Sequence, residues 1–317
     1  MKLITGGTGF LGRHLLESLN GPCIFTGRND AIGRDIEIST GHRFYRIDHA
    51  RDDLKVLPRV SQVVHAAALS APFGSSLEFY ESNVVATRRL LDYAISAGAE
   101  RFVYISTPSL YFDFQHHRNI PEEYLARNRV NMYAETKYQA ELEVLQASKE
   151  IEVVILRPRG IFGKYDTAIF PRLLRLSQSG GIPLTNDGDA LIDITHVSNV
   201  VQAVDKALSS SIGIEKVFNI TNGEPMQVKA LLAMLSDATG TAIKTRNVKP
   251  WLLGSVAATL DILGHLTGIE PPVTRYTASL LQYDQTLDIS RAKRCLGYAP
   301  TVTIQQGLAD YASNAAS

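Results

Sequence analysis

The hydrophobic residues of this chain fall into short uninterrupted runs, separated by longer segments in which they recur at helical spacing. The first run ends at Leu3 and Ile4, and four leucines between positions 11 and 19 then repeat on one helix face. Later short runs predict strands at residues 23–26, 44–48, 63–67, 102–106 and 153–156. Long helices are predicted at residues 78–98 and 132–148. Strands separated by helices of this length form a parallel sheet with right-handed crossovers.

Three glycines, Gly6, Gly9 and Gly12, lie directly between the first predicted strand and the first predicted helix. A turn that aims backbone N–H groups at a phosphate needs residues without a Cβ atom, and the helix N-terminus adds partial positive charge. The stretch therefore predicts a binding site for a dinucleotide pyrophosphate, although an ordinary tight turn would use the same glycines. The predicted fold class is α/β, with a Rossmann-type doubly wound parallel sheet.

The hydrophobic pattern changes at about Lys164, where helical segments with short polar interruptions replace the alternation of strands and helices. We predict a dinucleotide-binding domain of residues 1–163 plus 191–221. Residues 164–190 plus 222–317 are predicted to form a smaller, mainly helical C-terminal substrate lobe. This lobe is expected to cover the carboxyl ends of the strands and to close a cleft over them.

The most apolar piece of the predicted lobe is residues 251–269. We expect it to form a helix in the core or along the cleft. Its three glycines, with Asp261 and His265, argue against a membrane span. A helix lying on a membrane surface is a less favoured alternative.

Composition and charge indicate an enzyme that acts on a small molecule. The chain has 317 residues, and its 32 basic and 32 acidic residues give zero formal charge without long runs of either sign. This balance argues against a nucleic-acid partner and against selection of the substrate by a global electric field. Cys23 and Cys295 lie far apart and outside any Cys-x-x-Cys spacing, which favours free thiols and a cytoplasmic location.

The residues that follow the second and third predicted strands bear on the choice of cofactor. In dinucleotide folds an acidic side chain after the second strand accepts from the ribose 2′-hydroxyl, whereas an arginine suits a 2′-phosphate. Here the strand ends Thr26-Gly27-Arg28-Asn29, so Arg28 follows it and no carboxylate stands at the strand tip. We therefore favour NADP(H) and keep NAD(H) as possible, since Arg28 could also be a solvated loop residue. Asp48 is placed to accept from the adenine amino group, or else to cap a turn.

A tyrosine and a lysine on the second long helix form a candidate catalytic pair. Tyr133 is followed four residues later by Lys137, so both side chains lie on one helix face. A nearby ammonium favours the phenolate and moves a phenol with a pKa of about 10 towards useful proton transfer. Thr107, just beyond a predicted strand, could hydrogen-bond the same substrate oxygen or simply satisfy loop backbone.

Several short motifs occur together along the chain. They are Thr5-Gly6-Gly7-Thr8-Gly9-Phe10-Leu11-Gly12, His65-Ala66-Ala67, Asn83-Val84, Ser106-Thr107, Tyr133-x-x-x-Lys137, Leu156-Arg157-Pro158-Arg159-Gly160-Ile161-Phe162-Gly163, Asp193-Ile194-Thr195-His196-Val197 and Leu296-Gly297-Tyr298-Ala299-Pro300. Together they resemble the extended short-chain dehydrogenase/reductases over essentially the whole chain.

The resemblance implies roles for individual residues. Thr107 takes the serine or threonine role, Tyr133 the acid/base role, and Lys137 the role of ribose binder and tyrosine activator. Asn83 is implied to brace the central helix. The cofactor-binding residues predicted on all these grounds are Gly6, Thr8, Gly9, Phe10, Leu11, Arg28, Asp48, Ala66, Ala67, Ala68, Asn83, Tyr133, Lys137, Pro158 and Ile161.

Departures from the superfamily patterns narrow the expected chemistry. Nucleotide-sugar enzymes of the superfamily usually carry an arginine, which meets the diphosphate, where this chain has Ile192. Sugar dehydratases place Asp-Glu after the catalytic threonine, but here Pro108 and Ser109 follow. The Asp193–Val201 segment, with Glu270-Pro271-Pro272-Val273-Thr274, is more similar to the 3β-hydroxysteroid dehydrogenase-like branch.

These observations predict an NADP(H)-dependent oxidoreductase that interconverts a secondary alcohol and a ketone on a steroid-like or long-chain substrate. The apolar cleft is expected to use Pro72-Phe73, Tyr111-Phe112, Ile169-Phe170-Pro171 and the run from Trp251, unless these residues form the lobe's own core. The alternatives are a nucleotide-sugar epimerase and a non-catalytic NADP(H)-binding sensor or scaffold. The resemblance also suggests a homodimer through the helices that contain residues 84–95 and 133–145.

Overall fold

Strands and helices alternate through the first two thirds of the chain, as predicted. The computed structural model of the protein describes residues 1–71, 73–211, 216–267 and 274–315. The strands are β1 (Lys2–Thr5), β2 (Cys23–Gly27), β3 (Arg43–Arg46), β4 (Gln62–His65), β5 (Arg101–Ile105), β6 (His117–Ile120), β7 (Glu152–Pro158), β8 (Ile161–Phe162), β9 (Ile182–Leu184), β10 (Leu191–Ile192), β11 (Thr195–His196), β12 (Val217–Ile220), β13 (Met226–Gln227), β14 (Thr245–Asn247) and β15 (Gln285–Leu287).

Helices connect most of these strands. They are α1 (Phe10–Ser18), α2 (Asp30–Thr40), α3 (Ser76–Phe79), α4 (Ala86–Ser96), α5 (Met132–Ala147), α6 (Phe170–Gln178), α7 (Val197–Ser209), α8 (Val228–Thr239), α9 (Pro250–Thr267), α10 (Arg275–Ser279) and α11 (Ile304–Ala315). A π-helical segment, Tyr80–Val85, joins α3 to α4. The helix predicted at residues 78–98 is therefore three continuous helical pieces.

The main sheet has seven strands in the order β3-β2-β1-β4-β5-β7-β12. Every neighbouring pair is parallel. The connections reverse direction between β1 and β4, which confirms the doubly wound prediction. At this point the loops after two adjacent strands diverge and leave a crevice at the carboxyl ends, where open α/β sheets bind their ligands.

Both faces of the main sheet are buried, because adjacent residues of a strand point to opposite sides. Ile4 packs in one hydrophobic cluster with side chains of α1 and α7. Leu3 packs in a second cluster with side chains of α4 and α5. The same division places Val63 and Val64 of β4 on opposite faces. These alternating apolar runs therefore explain a sheet with a helical layer on each side.

A third hydrophobic cluster lies in the C-terminal part of the chain, where α6, α8 and α11 pack together with β9 and β10. We call this part, with α9 and α10, the smaller lobe. Its strands, together with the neighbouring β6, are only two to four residues long and were not predicted from the sequence pattern. One short sheet has the order β13-β10-β15-β6, and β9 pairs with β14.

Helix α9 corresponds to the most apolar predicted segment, and its packing differs from the prediction. Leu253 and Ala257 pack against Ala278 of α10. Trp251, however, is 67% exposed, and Val256 and Leu263 are also exposed. The helix is therefore neither a core helix nor wholly a cleft-lining one; Gly268 and Ile269 lie outside the described residues. Within the described ranges, no helix has the length and hydropathy needed to span a membrane.

A buried ion pair joins α5 to the end of β7. Arg157 Nε donates to Glu141 Oε1 at 2.8 Å, and Arg157 Nη2 donates to the second carboxylate oxygen. The two side chains are 4% and 2% exposed. Arg157 Nη1 also donates to the Tyr111 hydroxyl at 2.7 Å and to the Glu122 carbonyl oxygen at 2.9 Å. These contacts set the position of α5 relative to the sheet.

Replacing Glu141 with glutamine should destabilise the fold strongly, because it leaves the buried guanidinium of Arg157 without its counter-charge. We expect Glu141→Gln to lower the free energy of unfolding by about 3–5 kcal/mol. The matched control is Glu143→Gln on the same helix, which breaks the partly exposed pair with Arg88 and should cost less than about 1 kcal/mol. Urea denaturation measures both, and equal losses would contradict the assignment.

Candidate active site

The turn between β1 and α1 is closely packed against the loop after β4. Gly6 has φ +68°, and a Cβ atom there would lie 2.8 Å from the Ala67 nitrogen. A Cβ atom on Gly12 would lie 2.1 Å from the Gly6 carbonyl oxygen. Gly9 caps α1 without a side-chain hydrogen bond and is exposed. The turn therefore leaves the start of α1 open to an approaching anion, and the glycines fit a bound dinucleotide.

The buried side chain of His65 contacts Thr5, the residue that precedes this turn. Thr5 Oγ1 accepts from the Ala67 N–H at 3.1 Å and lies 2.7 Å from His65 Nδ1. His65 Nε2 lies 2.9 Å from Thr87 Oγ1, whose hydroxyl donates to the Asn83 carbonyl oxygen. Burial lowers the pKa of His65 well below its usual value. A neutral imidazole protonated on Nε2 satisfies this series of hydrogen bonds, because the Thr87 hydroxyl can then accept from His65 while it donates to the Asn83 carbonyl oxygen.

A cleft of about 240 Å³ lies beside the glycine turn. Eight predicted cofactor residues line it, namely Gly6, Thr8, Gly9, Arg28, Asp48, Ala66, Ala67 and Ala68. The sequence analysis did not single out the other lining residues Gly27, Ile47, His49, Leu69, Ser82 and Ala86. Gly27 could have been noticed as a glycine at a strand end, but the remaining five carry no local signal.

The other seven predicted cofactor residues lie outside this lining, and three of them, Tyr133, Lys137 and Pro158, are described below. Phe10 packs edge-on against His14, and Leu11 packs into the hydrophobic cluster on the α7 side of the sheet. Asn83 links the loop after β4 to α5, since Oδ1 accepts from the Leu69 N–H at 2.8 Å and Nδ2 donates to Thr136. Ile161 of β8 pairs with β11. Asn83 is thus a structural brace rather than part of the cleft surface.

An arginine-rich groove of about 260 Å³ adjoins the cleft. Arg28, at the end of β2, is exposed and lines both spaces. Arg46 lines the groove beside it, because β3 pairs with β2 in a register that sets Arg46 opposite Gly27. The sequence analysis missed Arg46, whose position depends on that register. Asp48 accepts from the Ala50 N–H at 3.0 Å, so it caps a turn while also lining the cleft.

Tyr133 and Lys137 lie in the first turns of α5, whose N-cap is Asn131. Lys137 is 1% exposed, and its Nζ donates to the Ile105 carbonyl oxygen at 2.7 Å and lies 4.0 Å from the centre of the Tyr104 ring. Burial lowers the pKa of Lys137 to about 7, while Glu141 acts in the opposite direction. The side chain of Lys137 is thus held at the carboxyl end of β5.

The Tyr133 hydroxyl faces two other hydroxyls. Burial raises the pKa of Tyr133, and hydrogen bonds with Ser70 and Thr107 lower it. Thr107 Oγ1 accepts from the Ser109 N–H at 3.1 Å and donates to Ser109 Oγ at 2.9 Å. Thr107 therefore satisfies loop backbone and faces Tyr133 at the same time. Ser109 Oγ lies 2.6 Å from the Tyr276 hydroxyl, a contact that the sequence analysis missed because Tyr276 comes from the smaller lobe.

Thr107 also lines a mainly apolar cavity of about 270 Å³ between the sheet and the smaller lobe. Pro158, Ile169 and Ile192 contribute to its wall. Its charged lining residues are Arg159, Arg172 and Asp193. Burial raises the pKa of Asp193 to about 6, although one of its oxygens accepts from the Leu287 N–H.

The predicted apolar cleft residues have different locations. Ile169 lines the cavity, and Phe73 lines a neighbouring cleft of about 820 Å³ together with Tyr133 and Tyr276. Three others are fully buried, so they belong to the core, which was the alternative to lining the cleft. They are Tyr111, Phe112 and Phe170. Trp251 lies on the exposed face of α9. Pro72 and residues 270–273 lie outside the described residues.

Two adjacent histidines, His116 and His117, lie at the start of β6 and have ordinary polar partners. His117 Nε2 lies 2.9 Å from Asp113 Oδ1 and 3.1 Å from the Tyr124 hydroxyl. His116 Nδ1 accepts from the Asp284 N–H. In the part of the chain that the structure describes, no group of three or more His, Cys, Asp and Glu side chains is arranged to hold a metal ion.

The doubly wound sheet with a glycine turn at its switch point is compatible with many dinucleotide-binding proteins, and the sequence comparisons identify this one as a short-chain dehydrogenase/reductase of the extended type. The chain belongs to the NAD dependent epimerase/dehydratase family, whose sequence model matches residues 2–221. The enzyme class is therefore that of NAD(P)-dependent dehydrogenases and reductases acting on CH–OH groups, as predicted.

Individual relatives agree with this assignment. The chain is 36% identical to the uncharacterized protein YbjS of Escherichia coli (strain K12), whose name gives no activity, with 96% of this chain and 95% of that protein covered. It is 30% identical to a 2-alkyl-3-oxoalkanoate reductase of Stenotrophomonas maltophilia (96% of each covered). It is 27% identical to a decarboxylating sterol-4-alpha-carboxylate 3-dehydrogenase of Mus musculus (96% and 88% covered). The expected similarity to the hydroxysteroid dehydrogenase-like branch is thus confirmed.

The fold also matches solved structures. The UDP-glucuronic acid 4-epimerase from Bacillus cereus in complex with NAD superimposes with a TM-score of 0.79 at 22% identity, over 99% of this chain and 96% of that one. At this identity the comparison establishes the fold alone.

The lowered pKa of Lys137 predicts a pH-dependent stability. The pKa is about 7 in the folded protein and 10.5 for a free lysine, so between these values the unfolded chain binds more protons and stability rises with pH. For protein without added cofactor, we expect the free energy of unfolding to rise between pH 7 and pH 9 by roughly 2 kcal/mol more than in Lys137→Met. Parallel pH profiles of the two proteins in urea denaturation would contradict the prediction.

Proposed function

We propose that the protein is an NADP(H)-dependent oxidoreductase that interconverts a secondary alcohol and a ketone on an apolar substrate. The observation that carries the proposal is that Tyr133 interacts electrostatically with Thr107 one helical turn from Lys137, while Thr107 lines a largely apolar cavity. Two relatives support the substrate class, since their names describe reduction of a 2-alkyl-3-oxoalkanoate and dehydrogenation of a sterol carboxylate.

We also propose that residues 1–163 plus 191–221 bind the cofactor and that the rest forms the substrate lobe. All residues lining the dinucleotide cleft come from positions 6–86. The apolar cavity, in contrast, is lined by residues in and next to α6, β9, α8 and α10 of the proposed substrate lobe and by residues at the ends of β5, β7 and β10 of the proposed cofactor domain. A ligand in this cavity would thus contact both parts of the chain.

In the proposed mechanism the nicotinamide cofactor supplies or accepts the hydride. Tyr133 donates a proton to the oxygen that becomes an alcohol, and Thr107 shares the hydrogen bond to that oxygen. Lys137 places a positive charge near Tyr133, which favours the phenolate. Its ammonium has three donors, and the Ile105 carbonyl takes one, which leaves donors for the ribose hydroxyls of the cofactor.

Arg28 and Arg46 support NADP(H) as the cofactor. Neither has an ion pair among the described residues, whereas the neighbouring Arg51 is paired with Glu81 at 2.9 Å. Two arginines at adjacent strand ends offer the planar donor geometry that binds a 2′-phosphate. Arg46 thus adds to the sequence argument, which was based on Arg28 alone.

Replacing Arg28 with aspartate should reverse the cofactor preference, because a carboxylate repels the 2′-phosphate and accepts from a 2′-hydroxyl. We expect Arg28→Asp to weaken NADPH binding by roughly 10- to 100-fold and to improve NADH binding. Fluorescence titration with each cofactor measures the change. Arg43→Asp, at the opposite end of β3, is the control and should leave the ratio unchanged. Equal affinity of the unmutated protein for both cofactors would remove the basis of the prediction.

Removing the Tyr133 hydroxyl should abolish turnover, because the alkoxide then has no proton donor. We expect the unmutated protein to oxidise NADPH with apolar ketones, and Tyr133→Phe to lower kcat by about 10²- to 10⁴-fold with little change in NADPH affinity. Lys137→Met should damage both kcat and cofactor binding. A panel of keto-steroids, long-chain ketones and UDP- or dTDP-sugars, followed by NADPH absorbance, provides the measurement.

The control for loss of a phenol is Tyr93→Phe, since the Tyr93 hydroxyl donates to the Pro58 carbonyl oxygen away from both cavities. Interconversion of nucleotide sugars alone, without net change in the cofactor, would favour an epimerase instead. Tight NADPH binding with no turnover of any compound would favour a sensor. Full activity of Tyr133→Phe would show that the proton donor lies elsewhere.

A further inference from the structure

Arg159 is a buried cation whose guanidinium has no hydrogen bond or ion pair with the described residues. The residue is only 7% exposed, and its Nε is buried without a partner. Arginine remains charged in proteins, and an unpaired buried charge costs considerable free energy. Burial lowers the pKa of Arg159, and Tyr276 and Asp193 offset this in part. A polar group from outside the chain would relieve this cost.

Two hydrogen bonds fix the backbone of Arg159 directly after the carboxyl end of β7. Its N–H donates to the Ile220 carbonyl oxygen at 3.0 Å, and its carbonyl oxygen accepts from Thr195 Oγ1 at 2.5 Å. The next residue, Gly160, has φ +55°. Arg159 therefore follows β7 in a fixed turn, and its side chain lines the 270 Å³ cavity that Thr107 also lines.

The charged residues around this cavity provide no contacting counter-charge for Arg159 among the described residues. Its charged lining residues are two arginines, Arg159 and Arg172, and one carboxylate, Asp193. Asp193 uses one oxygen to accept from the Leu287 N–H at 2.7 Å and forms no ion pair with Arg159. Arg172 is half-buried and has interactions of its own. A negatively charged group of a ligand would therefore meet the unpaired guanidinium of Arg159.

We infer that Arg159 binds a carboxylate of the substrate, which is then an apolar acid whose reacting oxygen lies at Thr107 and Tyr133. A planar carboxylate matches the guanidinium fork, and the largely apolar wall suits the rest of such a molecule. A diphosphate would bring more negative charge than the cavity offers in compensation. The location of the reacting oxygen rests on the proposed function, whereas the binding of the anion to Arg159 does not.

The test compares binding of dodecanoate with that of its neutral analogue dodecanamide, by calorimetry in the presence of saturating NADPH. Arg159→Leu should raise the Kd for dodecanoate by roughly 10- to 100-fold and change that for dodecanamide much less. Arg159→Lys, which keeps the charge, should retain part of the preference for the acid. The matched control is Arg175→Leu, because Arg175 is an exposed arginine of the same lobe outside the cavity lining.

The outcomes separate this inference from the proposed function. Equal binding of dodecanoate to the unmutated protein and to folded Arg159→Leu or Arg159→Lys would overturn the inference, as would a loss of dodecanoate binding in Arg175→Leu. A large loss of NADPH affinity in Arg159→Lys, with acid binding intact, would assign Arg159 to the cofactor and also overturn it. Absence of ketone reduction in the turnover panel would reject the proposed function alone.

Discussion

The buried ion pair between Arg157 and Glu141 holds together the two elements that carry the candidate site. Tyr133 and Lys137 precede Glu141 on α5, and Pro158 and Arg159 follow Arg157 directly on the chain. The guanidinium also donates to Tyr111, whose hydroxyl donates to Asn219 of β12. Two charges removed from water contribute little net stability, but their geometry admits few alternatives. The pair therefore acts mainly to fix how α5 lies on the sheet.

Local signals were enough to predict the dinucleotide half of the molecule. The first strand, the glycine turn and the first helix follow each other within nineteen residues, so periodicity and residue type identify them without tertiary information. The Tyr133–Lys137 spacing is likewise a property of one helix. Arg46, His65 and Tyr276 could not be assigned in this way, because their positions depend on strand register or on the packing of the smaller lobe.

Helix α9 shows the limit of arguments from composition. Its hydrophobicity predicts burial, but hydrophobicity alone does not say which face is covered or by what. In the structure Leu253 and Ala257 meet α10 while Trp251 faces outward. The prediction drawn from the absence of an arginine at position 192 was limited in a similar way, because one position does not determine the charge of the whole cavity. Ile192 does line the cavity wall, but the cation Arg159, which follows β7, lines the same space.

The close contact between Gly6 and Gly12 also limits which residues near the cofactor cleft could be replaced in a redesigned enzyme. A side chain at position 12 would strike the carbonyl of residue 6, so the two positions form one steric unit and neither is open to redesign. Arg28 and Arg46, in contrast, are exposed side chains at strand tips, where exchange disturbs no packing. Under the proposed function, the molecule thus separates the part that must stay invariant for any dinucleotide from the part that distinguishes one dinucleotide from another.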